Sequence, residues 1–122
     1  MSIGRKVVAV IDDDPSMLKA IERLLRAHGF DAEVFESAEA FLSGDARGEA
    51  ACLVLDIHLG GMSGIELRRR LTAGGCRLPI IFITAVDDEA VYREAMGAGC
   101  VAYLRKPFTA NLLIGAINQA TA

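Results

Sequence analysis

Four places along this chain carry residues able to do chemistry: the acidic run Asp12-Asp13-Asp14, the single Asp56, Thr84, and Lys106 followed by Pro107. Taken singly, each is ordinary. Asp14 before Pro15 reads as a helix cap, an acidic turn as a solvated loop, and Thr84 as a strand end. Asp56 alone is a turn residue and Lys106 alone a surface lysine. Gathered at one point, they are several carboxylates, one hydroxyl and one ammonium. That set suits phosphoryl transfer to a carboxylate, with an aspartyl phosphate as product. A carboxylate approaching a phosphate meets like-charge repulsion, so the reaction calls for a divalent cation. Mg²⁺ fits, because it takes oxygen ligands and is held by one or two carboxylates plus phosphate oxygens. The cation and a lysine would neutralise the equatorial oxygens, and a hydroxyl could bond one of them.

For these residues to meet, the segments that carry them must lie side by side and point the same way. Five short apolar runs, Val7–Ile11, Ala32–Phe35, Cys52–Leu55, Ile80–Ile83 and Val101–Leu104, alternate with helical patterns. VVAVI, CLVL and IIFI lack in/out alternation, which predicts strands covered on both faces, as in a parallel sheet. The other two runs are more mixed, as edges should be. Asp14-Pro15 opens a helix with Met17, Leu18, Ile21, Leu24 and Leu25 on one face and Gly29 at its end. Ser37 caps a short helix carrying Phe41 and Leu42. Ser63-Gly64-Ile65-Glu66 reads as a capping box for a helix presenting Ile65, Leu67 and Leu71. Asp87, Asp88 and Glu89 start the next helix, and Thr109 caps a last one with Leu112, Leu113, Ala116 and Ile117 toward the core. The fold expected is α/β: a five-stranded parallel sheet of flavodoxin-like order 2-1-3-4-5 with helices on both faces. In such sheets ligands bind beyond the carboxyl ends of the strands. Asp12–Asp14, Asp56, Thr84-Ala85 and Arg105-Lys106-Pro107 all follow strands at that end.

The 122 residues, 52% of them hydrophobic, suffice for one domain spanning 1–122 with its own core. A net charge of −3 argues against an electrostatic grip on nucleic acid or anionic membrane. Apolar stretches such as Leu78–Val86 fall far short of the about 20 residues a bilayer span needs. The opening MSIGRKVV carries no signal-peptide pattern, so a cytoplasmic location is expected. Cys52, Cys76 and Cys100 form no C-x-x-C pair and read as small hydrophobes. With only His28 and His58 beside them, they suggest no zinc site.

The motifs VAVIDDDP, LVLDIHLGGMSGIEL, PIIFITA and AYLRKPF resemble a response-regulator receiver domain from about Val7 to the last helix. They are closer in look to FixJ-type regulators than to the chemotaxis type. The resemblance implies a two-component phosphoacceptor, taking a phosphoryl group from a histidine kinase or phosphotransfer protein in the presence of Mg²⁺. It implies Asp56 as phosphoacceptor, Asp13 as direct metal ligand, Asp12 acting mainly through water, and the His58 backbone carbonyl as a further ligand. Thr84 matches the switch hydroxyl, Tyr103 the switch aromatic and Lys106 the phosphate-binding lysine, while small Ala85 leaves the phosphate accessible. Lys106-Pro107 matches a bond that is cis in the family. A phosphorylation-promoted homodimer is a further implication, and such a domain modifies only itself rather than turning over substrate. One departure stands out: Leu59-Gly60-Gly61 replaces the family's usual Met/Leu-Pro turn, which leaves the loop more permissive and costlier to order.

Three other readings fare worse. A haloacid-dehalogenase-type phosphatase would use Asp12 as nucleophile and needs carboxylates after the lysine, but Glu94 is the last acid in the chain. A flavin mononucleotide carrier would cradle phosphate after the first strand, where three aspartates repel it. A DNA-binding role for Arg68-Arg69-Arg70 is outweighed by a solvated helix face.

Overall fold

Each helix begins where a short polar side chain takes up a backbone N–H that the first turn leaves free. The computed structural model describes residues 5–44 and 49–122. Its elements run β1 (Val7–Ile11), α1 (Pro15–Ala27), β2 (Asp31–Phe35), α2 (Ala38–Ser43), β3 (Ala50–Asp56), α3 (Gly64–Ala73), β4 (Ile80–Thr84), α4 (Glu89–Ala98), β5 (Ala102–Arg105) and α5 (Ala110–Ala120). The caps are Asp14, Ser37, Ser63, Asp88 and Thr109, with side chains accepting from Ser16, Ala40, Glu66, Ala90 and Leu112 N–H respectively. Only the Ser63 half of the expected capping box forms, because the Glu66 carboxylate turns to Arg70, 3.1 Å away.

The strands pair in parallel in the order β2-β1-β3-β4-β5, as expected. β3 starts earlier than its apolar run, and its pairing with β1 is irregular between Val7 and Val8. β3 and β4 also run one residue further than their apolar patterns and thereby include Asp56 and Thr84. β5 begins one residue later than expected and ends at Arg105.

Two apolar layers cover the sheet. Val8, Val10, Cys52, Val54, Ile81 and Ile83 pack under α1 and α5, against Leu18, Ile21, Leu25, Leu113 and Ile117. Ala9, Ile11, Leu53, Leu55, Ile80 and Phe82 pack under α2, α3 and α4, against Phe41, Leu67, Leu71 and Ala95. This is why β1, β3 and β4 read as unbroken apolar runs: both faces are dry. Phe35 and Phe41 meet edge to face with centroids 5.3 Å apart, fastening α2 to β2. Leu112, expected in the core, is 57% exposed; its neighbour Leu113 takes the inward position.

Arg68 corrects the expectation of a solvated basic face. It is half-buried and donates to the carbonyls of Gly99 (3.0 Å) and Leu78 (3.3 Å). Gly99 sits at φ 96°, a left-handed position that favours glycine, and it closes α4. Arg69 and Arg70 do lie in solvent, paired with Glu94 and Glu66. Among the described residues, no helix is long and apolar enough to cross a membrane.

Candidate phosphoacceptor and metal site

At the carboxyl end of the sheet three polar side chains are buried that the core would otherwise exclude: Asp12, Asp56 and Thr84. They are there because β1, β3 and β4 are adjacent and end at the same height. Asp12 follows Ile11, Asp56 closes β3 beside Ile83, and Thr84 is the next residue of β4. Burying two carboxylates requires compensation. Both receive it in the same way. Asp12 Oδ1 accepts the Asp14 N–H (2.9 Å) and Asp56 Oδ1 accepts the His58 N–H (3.1 Å). The remaining oxygens share one cation: Lys106 Nζ lies 2.7 Å from Asp12 Oδ2 and 3.2 Å from Asp56 Oδ2. Lys106 is the first residue beyond β5, just ahead of a cis Lys106-Pro107 peptide bond, with its own N–H on the Thr84 carbonyl.

The electrostatics follow from this crowding. Burial and the neighbouring Asp12 charge push the Asp56 carboxyl above the usual carboxylate range, against the opposing pull of Lys106 and the His58 N–H. Burial acts to lower the Lys106 ammonium, but the Asp12 hydrogen bond and the charges of Asp56 and Asp12 outweigh it, so its pKa is raised. Lys106 is firmly a cation.

Asp13 is exposed beside this pair, and one oxygen from each of Asp12, Asp13 and Asp56 lies within 4.8 Å of the others. Three hard oxygen donors with one side open to water suit a small divalent cation such as Mg²⁺. The structure thus brings together Asp12, Asp13, Asp56 and Lys106. Thr84 sits one strand over, its Oγ1 accepting the Val86 N–H at 3.1 Å. Ala85 beyond it is exposed, as is the His58 side chain. Tyr103, on β5, stands apart, in register with Phe82 of β4 and edge to face with Tyr92 at 4.9 Å. It shares a surface recess with Asp87, Asp88 and Arg105.

Two side-chain ties were not expected from the sequence, one beside the site and one at the opposite end of the sheet. Glu39, on α2, reaches the Met62 N–H in the β3–α3 loop at 3.0 Å, across 23 positions with no local signal. Arg68 did carry a signal: it lies three residues from both Ile65 and Leu71 and so falls on the buried stripe of α3.

The sequence matches the family model of the response regulator receiver domain over residues 8–118. Response regulator protein TodT of Pseudomonas putida is 38% identical over 120 residues, covering 98% of this chain and 53% of that protein. Transcriptional regulatory protein FixJ of Bradyrhizobium diazoefficiens is 36% identical over 113 residues, covering 93% of this chain and 55% of that protein. The chain therefore spans about half the length of the curated relatives it matches. Among solved structures, the crystal structure of FixJ-N superposes with a TM-score of 0.87 at 34% identity, covering 98% of this chain and 95% of that one. Fold, carboxylate cluster and these matches agree, and the chain belongs to the response regulator receiver domains of two-component systems.

Proposed function

We propose that this domain accepts a phosphoryl group on Asp56 from the phosphohistidine of a histidine kinase or phosphotransfer protein. The observation that carries this reading is the pair of buried carboxylates, Asp12 and Asp56, sharing the single ammonium of Lys106 beside exposed Asp13. An Asp56 carboxylate oxygen attacks phosphorus, the P–N bond breaks as the P–O bond forms, and the imidazole nitrogen keeps the electron pair and takes a proton. Lys106 is placed to follow the negative charge from carboxylate to phosphoryl oxygen. Thr84 and the backbone at Ala85 would bond another of those oxygens; Thr84 Oγ1 accepts the Val86 N–H and has its own O–H to donate. Mg²⁺, held by Asp13, Asp56, the His58 carbonyl and Asp12 through water, would neutralise charge between the two anions. The domain thereby catalyses only its own modification, so it is a switch rather than an enzyme with turnover.

The output is a surface. Movement of Thr84 toward the phosphoryl group frees space for Tyr103 to turn inward from its stack on Tyr92. The face of α4, β5 and α5 changes with it and promotes association of two copies, a bias needing only a few kcal/mol. A cytoplasmic location, and no direct contact of this domain with nucleic acid, complete the proposal.

The test is incubation with acetyl phosphate and Mg²⁺, which should add one base-labile phosphoryl group. Asp56→Asn should abolish it, since an amide is not a nucleophile here. Undiminished labelling of that variant would overturn the assignment.

A further inference from the structure

The loop that follows Asp56 is pinned at both ends and loose between. At its far end the Gly64 N–H donates to the Ile57 carbonyl at 2.9 Å. A Cβ on Gly64 would meet the Asp56 carbonyl oxygen at 2.3 Å, so this closure demands glycine. At its near end the His58 N–H holds Asp56. Among the described residues, the backbone of Leu59, Gly60 and Gly61 makes no hydrogen bond, and a Cβ on Gly60 would face open space. Two successive glycines leave such a segment many conformations. A single bond ties its interior: Glu39 Oε2 accepts the Met62 N–H at 3.0 Å. Glu39 can do this because α2 is anchored beneath it by buried Ala38 and Phe41. The room for its carboxylate comes from Gly61, where a Cβ would lie 2.7 Å from Glu39 Oε2 and 3.2 Å from Oε1.

We propose that Glu39 is a positioning residue for the phosphoacceptor loop, latching Met62 in the place of a stiffer turn, with its carboxylate seated against the bare Cα of Gly61. The consequence for phosphorylation rests on the assignment of Asp56 above; the latch itself does not. His58 hangs from this loop, with its N–H on Asp56. Releasing Met62 loosens the segment that orients that donor, so a loop that must be ordered for each transfer is ordered less often.

The experiment uses the chain with Glu39→Ala, Glu39→Gln, Gly61→Ala and the double variant Glu39→Ala/Gly61→Ala. Amide exchange at Met62, read by NMR without phosphodonor or metal, should quicken about five-fold in Glu39→Ala and by less in Gly61→Ala, whose Cβ crowds the carboxylate. Glu39→Gln keeps an acceptor oxygen and should retain most of the protection. The double variant should exchange no faster than Glu39→Ala, because both substitutions act on the same bond. Acetyl phosphate labelling should slow about two- to five-fold in Glu39→Ala and recover in Glu39→Gln. Unchanged Met62 exchange in Glu39→Ala, or additive effects in the double variant, overturns the latch. Faster exchange with an unchanged labelling rate overturns the positioning role. No labelling in the unmodified chain would instead sink the Asp56 assignment, while the exchange arm still decides the latch.

Discussion

Lys106 stands closer to Asp12 than to Asp56, at 2.7 Å against 3.2 Å, so one cation is divided between two buried anions. The cluster carries more negative charge than it neutralises. The same imbalance costs the metal-free fold stability and gives the cluster its appetite for a further cation.

Lys106→Met should therefore destabilise the metal-free domain by about 2–4 kcal/mol at pH 7, because it leaves both carboxylates buried without a counter-charge. Urea denaturation checks it, and added Mg²⁺ should return part of the loss. A change below about 0.5 kcal/mol would show that the lysine is not the cluster's counter-ion.

Asp56→Asn should make the metal-free domain more stable at neutral pH. The Asp56 pKa is raised in the folded state by burial and by Asp12, so the native form binds more protons than the unfolded one. Its ionisation thus costs stability as pH rises from the unfolded carboxylate value through the folded one. The advantage of the variant should shrink and vanish as pH falls below the unfolded value. Urea midpoints of both proteins at acid and neutral pH measure it, and a gain that is the same at both pH values would contradict the cause.

Val86→Glu should shorten the lifetime of the phosphorylated state by about ten-fold, or ~1.4 kcal/mol of barrier. Val86 lies two residues past Thr84, is 41% exposed and offers no polar side-chain atom to hold a water in line. Phosphate release from labelled protein gives the rates. Equal rates would place lifetime control elsewhere.

Cys52 should resist alkylation in the native state. Burial in the layer under α1 and α5 pushes its thiol up to about 12, and it is wholly enclosed. Cys76 and Cys100 are half-buried and free. Peptide mass analysis after iodoacetamide at pH 8 should find Cys52 modified only in denaturant. Native modification of Cys52 to the extent of Cys76 would count against this packing.

The strands and caps were legible because their causes are local: a dry run of Val and Ile, or a Ser three residues before the N–H it accepts. Asp12, Asp56 and Lys106 became legible only through the parallel order, which sets unconnected chain positions at one end. What escaped depends on contacts no periodicity encodes. Leu112 and Leu113 are equivalent apolar neighbours in sequence, and the rotation of α5 decides which one is dry. Arg68 looks like its two neighbours, yet of the three it is the one that reaches the Gly99 and Leu78 carbonyls. Glu39 is one carboxylate among many on a short helix until α2 is docked over the loop.

The Arg68 contact with Gly99 has a mechanical side. It fastens the C-terminal end of α4 to α3 and the start of β4, at the end of the sheet away from the carboxylates. The other end of α4, capped by Asp88, follows the segment after Thr84. A ten-residue helix is about 15 Å long, so a tilt of about 10° about the Gly99 end carries Asp88 through about 2.6 Å. With the Gly99 end tied by side-chain bonds and Asp88 at the opposite end, geometry makes any such tilt of α4 a rotation about its end away from the carboxylates, with the largest displacement beside Thr84.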